Sequence, residues 1–157
     1  MREWLKRRNT HGASALLLKE LALEDELEYK MCLRMTPRKF EELLNMVHDK
    51  IEQDPFMRDV IKPRVKLEIT LNFLATGNSY RSLSHFFKAS RPAFSKLVPE
   101  VCDAISEVLG GSIKVPSRDE WNTVAEGFKE HWYFPNCCGA IDGKHVLVKA
   151  LPNSGSV

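Results

Sequence analysis

The chain has 157 residues, the length of one domain or of one domain with part of a second. Its composition, with 43% hydrophobic and 28% charged residues, excludes a largely disordered or collagen-like protein. No apolar run approaches the roughly 18 residues that a membrane-spanning helix needs, and four cysteines without C-x-x-C spacing are too few for a disulfide scaffold. We therefore expect a soluble, non-secreted protein with reduced thiols and no membrane partner.

Charge is distributed unevenly along the chain, although the net charge is only +2. Residues 60–100 hold seven basic and two acidic side chains, whereas residues 19–59 hold seven and eleven, and residues 101–142 hold three and seven. A basic block of this kind occurs on solvated helix faces as well as on nucleic-acid-binding surfaces. The local structure around the block therefore has to decide between the two.

Two regions come before the basic block. Residues 1–14 contain four basic side chains and no apolar periodicity, and we interpret them as a basic arm that contacts phosphate or acts as a nuclear address, with a frayed terminus as the alternative. A helical region is predicted over residues 15–111. Its second helix begins at Thr36-Pro37, where a hydroxyl cap precedes a first-turn proline.

Three helices are predicted within residues 64–109, in a helix-turn-helix arrangement. The first carries an apolar stripe that includes Leu74 and is expected to face the core. Ser79 is placed to cap a short second helix, and Ser90 a third, across a turn of about three residues. Pro99 is expected to kink or divide that third helix.

The basic block coincides with this arrangement, in which the N-terminal end of the last helix enters the major groove. The residues predicted to contact double-stranded DNA are Arg81, Lys88, Arg91, Ser95 and Lys96. Further contacts to phosphates are predicted for Lys62, Arg64 and Lys66.

Residues 112–157 have a different character. Ser117 and Glu120 have the spacing of a capping box and begin a linker helix. Residues 138–142 and 146–148 are typical of two short strands joined through a glycine. We interpret this region as the linker helix followed by the incomplete start of an α/β domain.

Asp142 is the last residue of the first predicted strand. Carboxylates at strand ends hold Mg²⁺ or Mn²⁺ in many phosphoryl-transfer enzymes, because these ions prefer oxygen ligands. An aspartate before a glycine is also a common turn residue, and spacing alone does not separate the two interpretations.

The sequence around Asp142 also resembles a known family. Residues 132–146, WYFPNCCGAIDGKHV, and residues 152–156, PNSGS, resemble the start of the DDE nuclease domain in Harbinger transposase-derived nucleases. Three upstream segments are similar to the helical N-terminal region of that family, namely LRMT at 33–36, LNFLATGNSYRSL at 71–83 and VPEVC at 98–102.

The resemblance implies an RNase H-like catalytic domain in which Asp142 is the first of three acidic ligands to a divalent metal, Mg²⁺ or Mn²⁺. Lys144 and His145 match flanking positions without an assigned role. The other two acidic ligands of such a domain would lie beyond Val157. We therefore expect this chain to bind no metal tightly and to leave DNA uncut, either as part of a longer product or as a remnant.

Together these observations predict a mainly α fold, with a helix-turn-helix followed by the first β-hairpin of a truncated RNase H-like nuclease domain. The predicted function is DNA binding, with metal-dependent phosphodiester cleavage belonging to the complete family domain. The alternative is a non-catalytic protein-interaction module that binds a Myb-like partner. Nuclear localisation follows from the resemblance; presence in the cytoplasm and assembly with a second copy remain open.

Overall fold

The computed structural model describes residues 3–52, 60–112 and 114–143, and every regular element within them is helical. The chain divides into two compact units, residues 1–113 and 114–157. The prediction of a mainly α fold is therefore confirmed.

The predicted β-hairpin is wrong. Residues 138–142 are described and form no strand, and residues 146–148 lie outside the described part of the chain. A strand is stabilised by backbone hydrogen bonds to a neighbour, and two strands alone are marginal in water. The short run of small and apolar residues at 138–141 is compatible with a strand, but such a run is insufficient without a paired edge.

The helices of the first unit are, in chain order, α1 (Glu3–Lys6), α2 (Arg8–His11), α3 (Leu17–Glu24), α4 (Glu26–Leu33), α5 (Pro37–Ile51), α6 (Pro63–Thr76), α7 (Tyr80–Phe87) and α8 (Arg91–Leu109), which continues into a 3₁₀ turn at Gly110–Ser112. The second unit contributes α9 (Arg118–Trp132).

Side-chain caps fix where several of these helices begin. The Thr36 side chain accepts a hydrogen bond from the Lys39 backbone at the start of α5, and the Ser79 side chain accepts one from Ser82 at the start of α7. The capping box of α9 is confirmed, because Ser117 and Glu120 satisfy each other's backbone N–H groups. These caps satisfy N–H groups that a helix end otherwise leaves unpaired.

Helix α6 is the centre of the first unit. It packs against α4, α5, α7 and α8, and the stretch from Val65 to Asn72 is buried on every side. Polar members of this stretch therefore need partners: Thr70 bonds to the Lys66 carbonyl, and Asn72 donates to the Cys32 carbonyl. Leu74, predicted to face the core, is exposed instead, because it lies in the last turn of the helix beyond this packed stretch.

The N-terminal residues predicted as an arm fold onto the turn between α7 and α8. Leu5 and Ala13 are buried, and the Ala13 backbone donates to the Phe86 carbonyl at 3.0 Å. Gly12 fits tightly, since a Cβ added there would lie 2.6 Å from the Arg8 carbonyl oxygen. Two helices of four residues are too short to produce a readable apolar period, so the sequence pattern did not indicate this packing.

Helix α8 is continuous through Pro99, so the prediction that Pro99 divides it is wrong. Its apolar face, including Phe94, Leu97 and Val101, is buried against α5 and α6. This packing on both sides of the proline holds the helix together where one backbone hydrogen bond is missing. Ser90 precedes the helix as predicted, but its side chain makes no capping hydrogen bond.

Candidate functional site

A basic surface lies where α7 and α8 meet. Arg81, Arg91 and Ser95 line one shallow depression together with Tyr80 and Pro92. The turn between the helices brings the first residue of α8 opposite the first turn of α7, which explains why residues ten apart in sequence share a surface. The structure therefore brings three of the five predicted DNA-contacting residues together.

The cations of this surface are exposed. Arg81, Arg91 and Lys96 form no ion pair with any other residue that the structure describes. An exposed cation without an internal partner keeps its charge available for an external anion. Lys96 does not line the depression but follows Ser95 on α8 and is exposed. We name Arg81, Arg91, Ser95 and Lys96 the basic surface.

Lys88, also predicted to contact DNA, has a different environment. It is half-buried with a positive φ of 50°, and its Nζ lies 5.3 Å from the centroid of the Trp4 ring. Trp4 in turn stacks on His85 at 5.8 Å, and Arg8 donates to the Lys88 carbonyl. Lys88 therefore takes part in packing the N-terminal segment against the turn.

Two of the upstream cations predicted to contact phosphate form ion pairs within the first unit. Lys66 is buried, with Nζ 2.6 Å from Glu100 Oε1 and 2.7 Å from the Ile51 carbonyl oxygen. Arg64 forms a two-oxygen contact with Glu41 at 2.5 and 2.6 Å. The prediction for Lys66 is wrong, because its ammonium is buried. Arg64 is exposed and paired, so its phosphate contact stays a prediction. Lys62 is exposed and forms no ion pair with another described residue.

A second surface, on α3 and α4, was not predicted. The side chains of Leu23, Leu27 and Met31 are 80%, 77% and 57% exposed. Leu27 and Met31 are one turn apart and share a face of α4, whereas Tyr29 and Leu33, also one turn apart, are buried on the other face. Apolar residues on both faces of one short helix were the available signal. We name Leu23, Leu27 and Met31 the apolar row.

A cavity of about 320 Å³ adjoins the apolar row at Leu23. Its charged lining consists of two carboxylates, Glu41 and Glu68, and two cations, Lys19 and Arg64. Glu68 is buried, and its Oε2 has no hydrogen-bond partner among the described residues. Burial raises the pKa of the Glu68 carboxyl to about 7, against the opposing effects of a hydrogen bond from Ser14 and the charge of Arg64.

Asp142 is exposed in the second unit. Within residues 3–52, 60–112 and 114–143, the side chains close enough to share one ion are those of His48, Asp49 and Glu52, at the exposed end of α5. That group does not include Asp142, so the described residues do not assemble a two-metal site. Lys144 and His145 lie outside the described residues, and the catalytic role of Asp142 stays a prediction.

Comparison with known proteins finds a distant similarity. The chain is 25% identical over 131 residues to Protein Antagonist of Like Heterochromatin Protein 1 from Arabidopsis thaliana, a match that covers 80% of this chain and 33% of that protein. The chain thus spans about a third of the length of this relative. No protein-family model and no solved structure matches. In the described part of the chain, no helix is long and apolar enough to cross a membrane.

Proposed function

We propose that this chain is a transposase-derived, non-catalytic protein-interaction module that works at chromatin in the nucleus. The observation that carries the proposal is the apolar row, which the helical unit leaves exposed on α3 and α4. Single exposed apolar side chains are ordinary, but several on one surface with polar surroundings mark a site that another macromolecule covers.

The distant relative supports the chromatin setting. Its name describes a protein that antagonises a heterochromatin protein, which is an activity exercised through another protein. The resemblance to Harbinger transposase-derived nucleases supports the origin and the nuclear location, and it implies a Myb-like protein as one candidate partner. A binding role of this kind needs none of the carboxylates that cleavage requires.

Chromatin retention of the full chain tests this proposal. We expect the double variant Leu27→Gln/Met31→Gln to be washed from chromatin at a salt concentration that retains the wild type. Asp142→Ala and Met46→Gln should be retained like the wild type. Met46 is a matched control, because it is another methionine, 49% exposed, on α5.

Two results would contradict the proposal. One is full retention of the Leu27→Gln/Met31→Gln protein; the other is loss of retention on Asp142→Ala in a protein whose helical circular dichroism is unchanged. The first would remove the apolar row from the function, and the second would return the function to the predicted metal ligand.

DNA binding is a second candidate function, favoured by the basic surface. Its three exposed cations suit phosphate oxygens on either side of an inserted helix end. Such binding loses affinity as salt rises, with a slope in log affinity against log salt of about −0.9 for each phosphate neutralised.

Fluorescence anisotropy with a duplex of mixed sequence tests DNA binding. Arg81→Ala/Arg91→Ala should weaken binding and make the salt slope shallower by about 2. Arg38→Ala is the control, since Arg38 is exposed on α5 and bonds to Glu42 at 3.1 Å. Equal salt slopes for the two variants would exclude the basic surface as the DNA contact.

A further inference from the structure

The apolar row has acidic surroundings. Residues 19–31 carry five acidic side chains and two lysines, and all seven are exposed. None of the five acids forms an ion pair with another residue that the structure describes. The segment therefore presents uncompensated negative charge directly around exposed leucine and methionine.

The cavity beside Leu23 is lined by charges of both signs. Glu41 and Glu68 both pair with Arg64, and Lys19 also lines the cavity. One Glu68 oxygen is buried without a hydrogen-bond partner among the described residues. A group arriving next to Leu23 thus meets an apolar wall, formed in part by Leu18, and one buried acceptor without a partner among the described residues.

We propose that the apolar row is the docking site for a basic amphipathic helix of a partner protein. Leucine-like side chains of that helix cover Leu23, Leu27 and Met31, and its flanking lysines or arginines face the acidic residues of 19–31. This inference rests on the proposed function and specifies the partner's chemistry. A helix is favoured because its apolar side chains recur at i, i+4 and i+7, matching the one-turn spacing of Leu27 and Met31.

The charge complementarity separates this occupant from others. An acidic or neutral apolar segment would bring like charge, or none, to a surface with a negative excess, and like-charge juxtaposition is strongly unfavourable. A second copy of α3 and α4 is disfavoured for the same reason, because it would place two acidic segments against each other.

A synthetic peptide tests the inference directly. The probe is a fluorescein-labelled helix of about 18 residues, with leucines at i, i+3, i+4 and i+7 and lysines elsewhere. We expect it to bind the full chain, and a peptide with glutamate in place of every lysine to bind at least about tenfold more weakly.

Variants of the protein separate the apolar from the charge contribution. Leu27→Gln/Met31→Gln should weaken binding of the lysine peptide at least about tenfold, whereas Met46→Gln should change it less than about twofold. Glu24→Gln/Glu28→Gln should weaken binding and reduce its salt dependence. Gln is neutral and helix-compatible, so none of these changes adds charge or removes a buried group.

Equal affinity of the two peptides, or of wild type and the Leu27→Gln/Met31→Gln variant, overturns the inference. So does sedimentation that shows a dimer converted to a monomer by the same variant, because a second copy would then be the occupant. If the variant loses chromatin retention while the lysine peptide fails to bind, the partner chemistry is wrong and the proposed function stands. Peptide binding with unchanged retention leaves the docking site in place and removes the chromatin function.

Discussion

Replacing Glu100 should destabilise the protein more than replacing Lys66, its partner in a buried ion pair. The Lys66 side chain is 2% exposed, and its Nζ contacts Glu100 Oε1 at 2.6 Å and the Ile51 carbonyl at 2.7 Å. Glu100→Ala leaves that ammonium buried with a single acceptor. Breaking a buried pair in this way costs about 3–5 kcal/mol. Because the Glu100 side chain is 34% exposed, water can replace part of the lost interaction with the ammonium. We expect a loss of about 2–3 kcal/mol.

Removing the lysine instead should cost less. Lys66→Met keeps the aliphatic packing on α6 and removes the buried charge, while Glu100 is free to turn toward water. The Ile51 carbonyl at the end of α5 then loses its donor, which costs about 1 kcal/mol. The double variant Lys66→Met/Glu100→Ala should therefore be more stable than Glu100→Ala alone by about 1–2 kcal/mol.

Urea unfolding followed by circular dichroism measures these differences. The control is Glu107→Ala, which removes the acidic partner of an exposed pair, Lys50–Glu107, at the same distance of 2.6 Å and also on α8. An exposed pair contributes less than about 1 kcal/mol. Equal losses for Glu100→Ala and Glu107→Ala, or a double variant less stable than Glu100→Ala, would refute the argument that burial of the ammonium sets the cost.

Three further predictions concern stability. Folding should become less favourable as pH rises from about 4.5 through about 7, because burial raises the Glu68 pKa above its unfolded value of 4.5. Glu68→Gln should remove up to about 3 kcal/mol of this dependence. The same dependence of the unfolding free energy on pH in both proteins would contradict this prediction. Gly12→Ala should destabilise by about 1–3 kcal/mol because its Cβ meets backbone, whereas Gly127→Ala, with nothing within 4 Å of its Cβ in α9, should stabilise by up to about 1 kcal/mol. Deleting residues 1–10 should lower the melting temperature by several degrees, since Leu5 is buried and Trp4 stacks on His85; a truncated protein as stable as the full chain would show that this segment contributes no packing energy.

Local sequence signals predicted the helices whose ends are fixed by their own residues. Thr36-Pro37 and Ser79 cap α5 and α7 where the sequence places them, and Ser117 begins α9. These motifs work through hydrogen bonds between residues two to four apart, so the sequence alone contains both partners.

The features that depend on distant partners could not be predicted in the same way. Helix α6 carries four polar residues in its buried stretch, and only the positions of Glu100, Cys32 and other distant groups explain why they are inside. The prediction of a strand at 138–142 was wrong for a related reason, because strand pairing depends on two segments and not on one. The apolar row was missed because helical spacing alone does not reveal which of two apolar faces of α4 meets the core.

The environments of the cations in the basic block bear on whether DNA binding or protein binding is the main function. Of the seven cations in residues 60–100, Lys66 and Arg64 pair with carboxylates and Lys88 packs on Trp4. This leaves Lys62 and the three exposed cations of the basic surface. Three phosphate contacts correspond to a salt slope of about −3, or roughly a 40-fold loss of affinity between about 50 and 200 mM salt. Phosphate contacts carry no sequence information, so a protein contact would have to supply the choice of site. The basic surface and the apolar row are therefore compatible as two contacts of one assembly, in which the protein partner determines where the chain binds and the cations add salt-sensitive affinity.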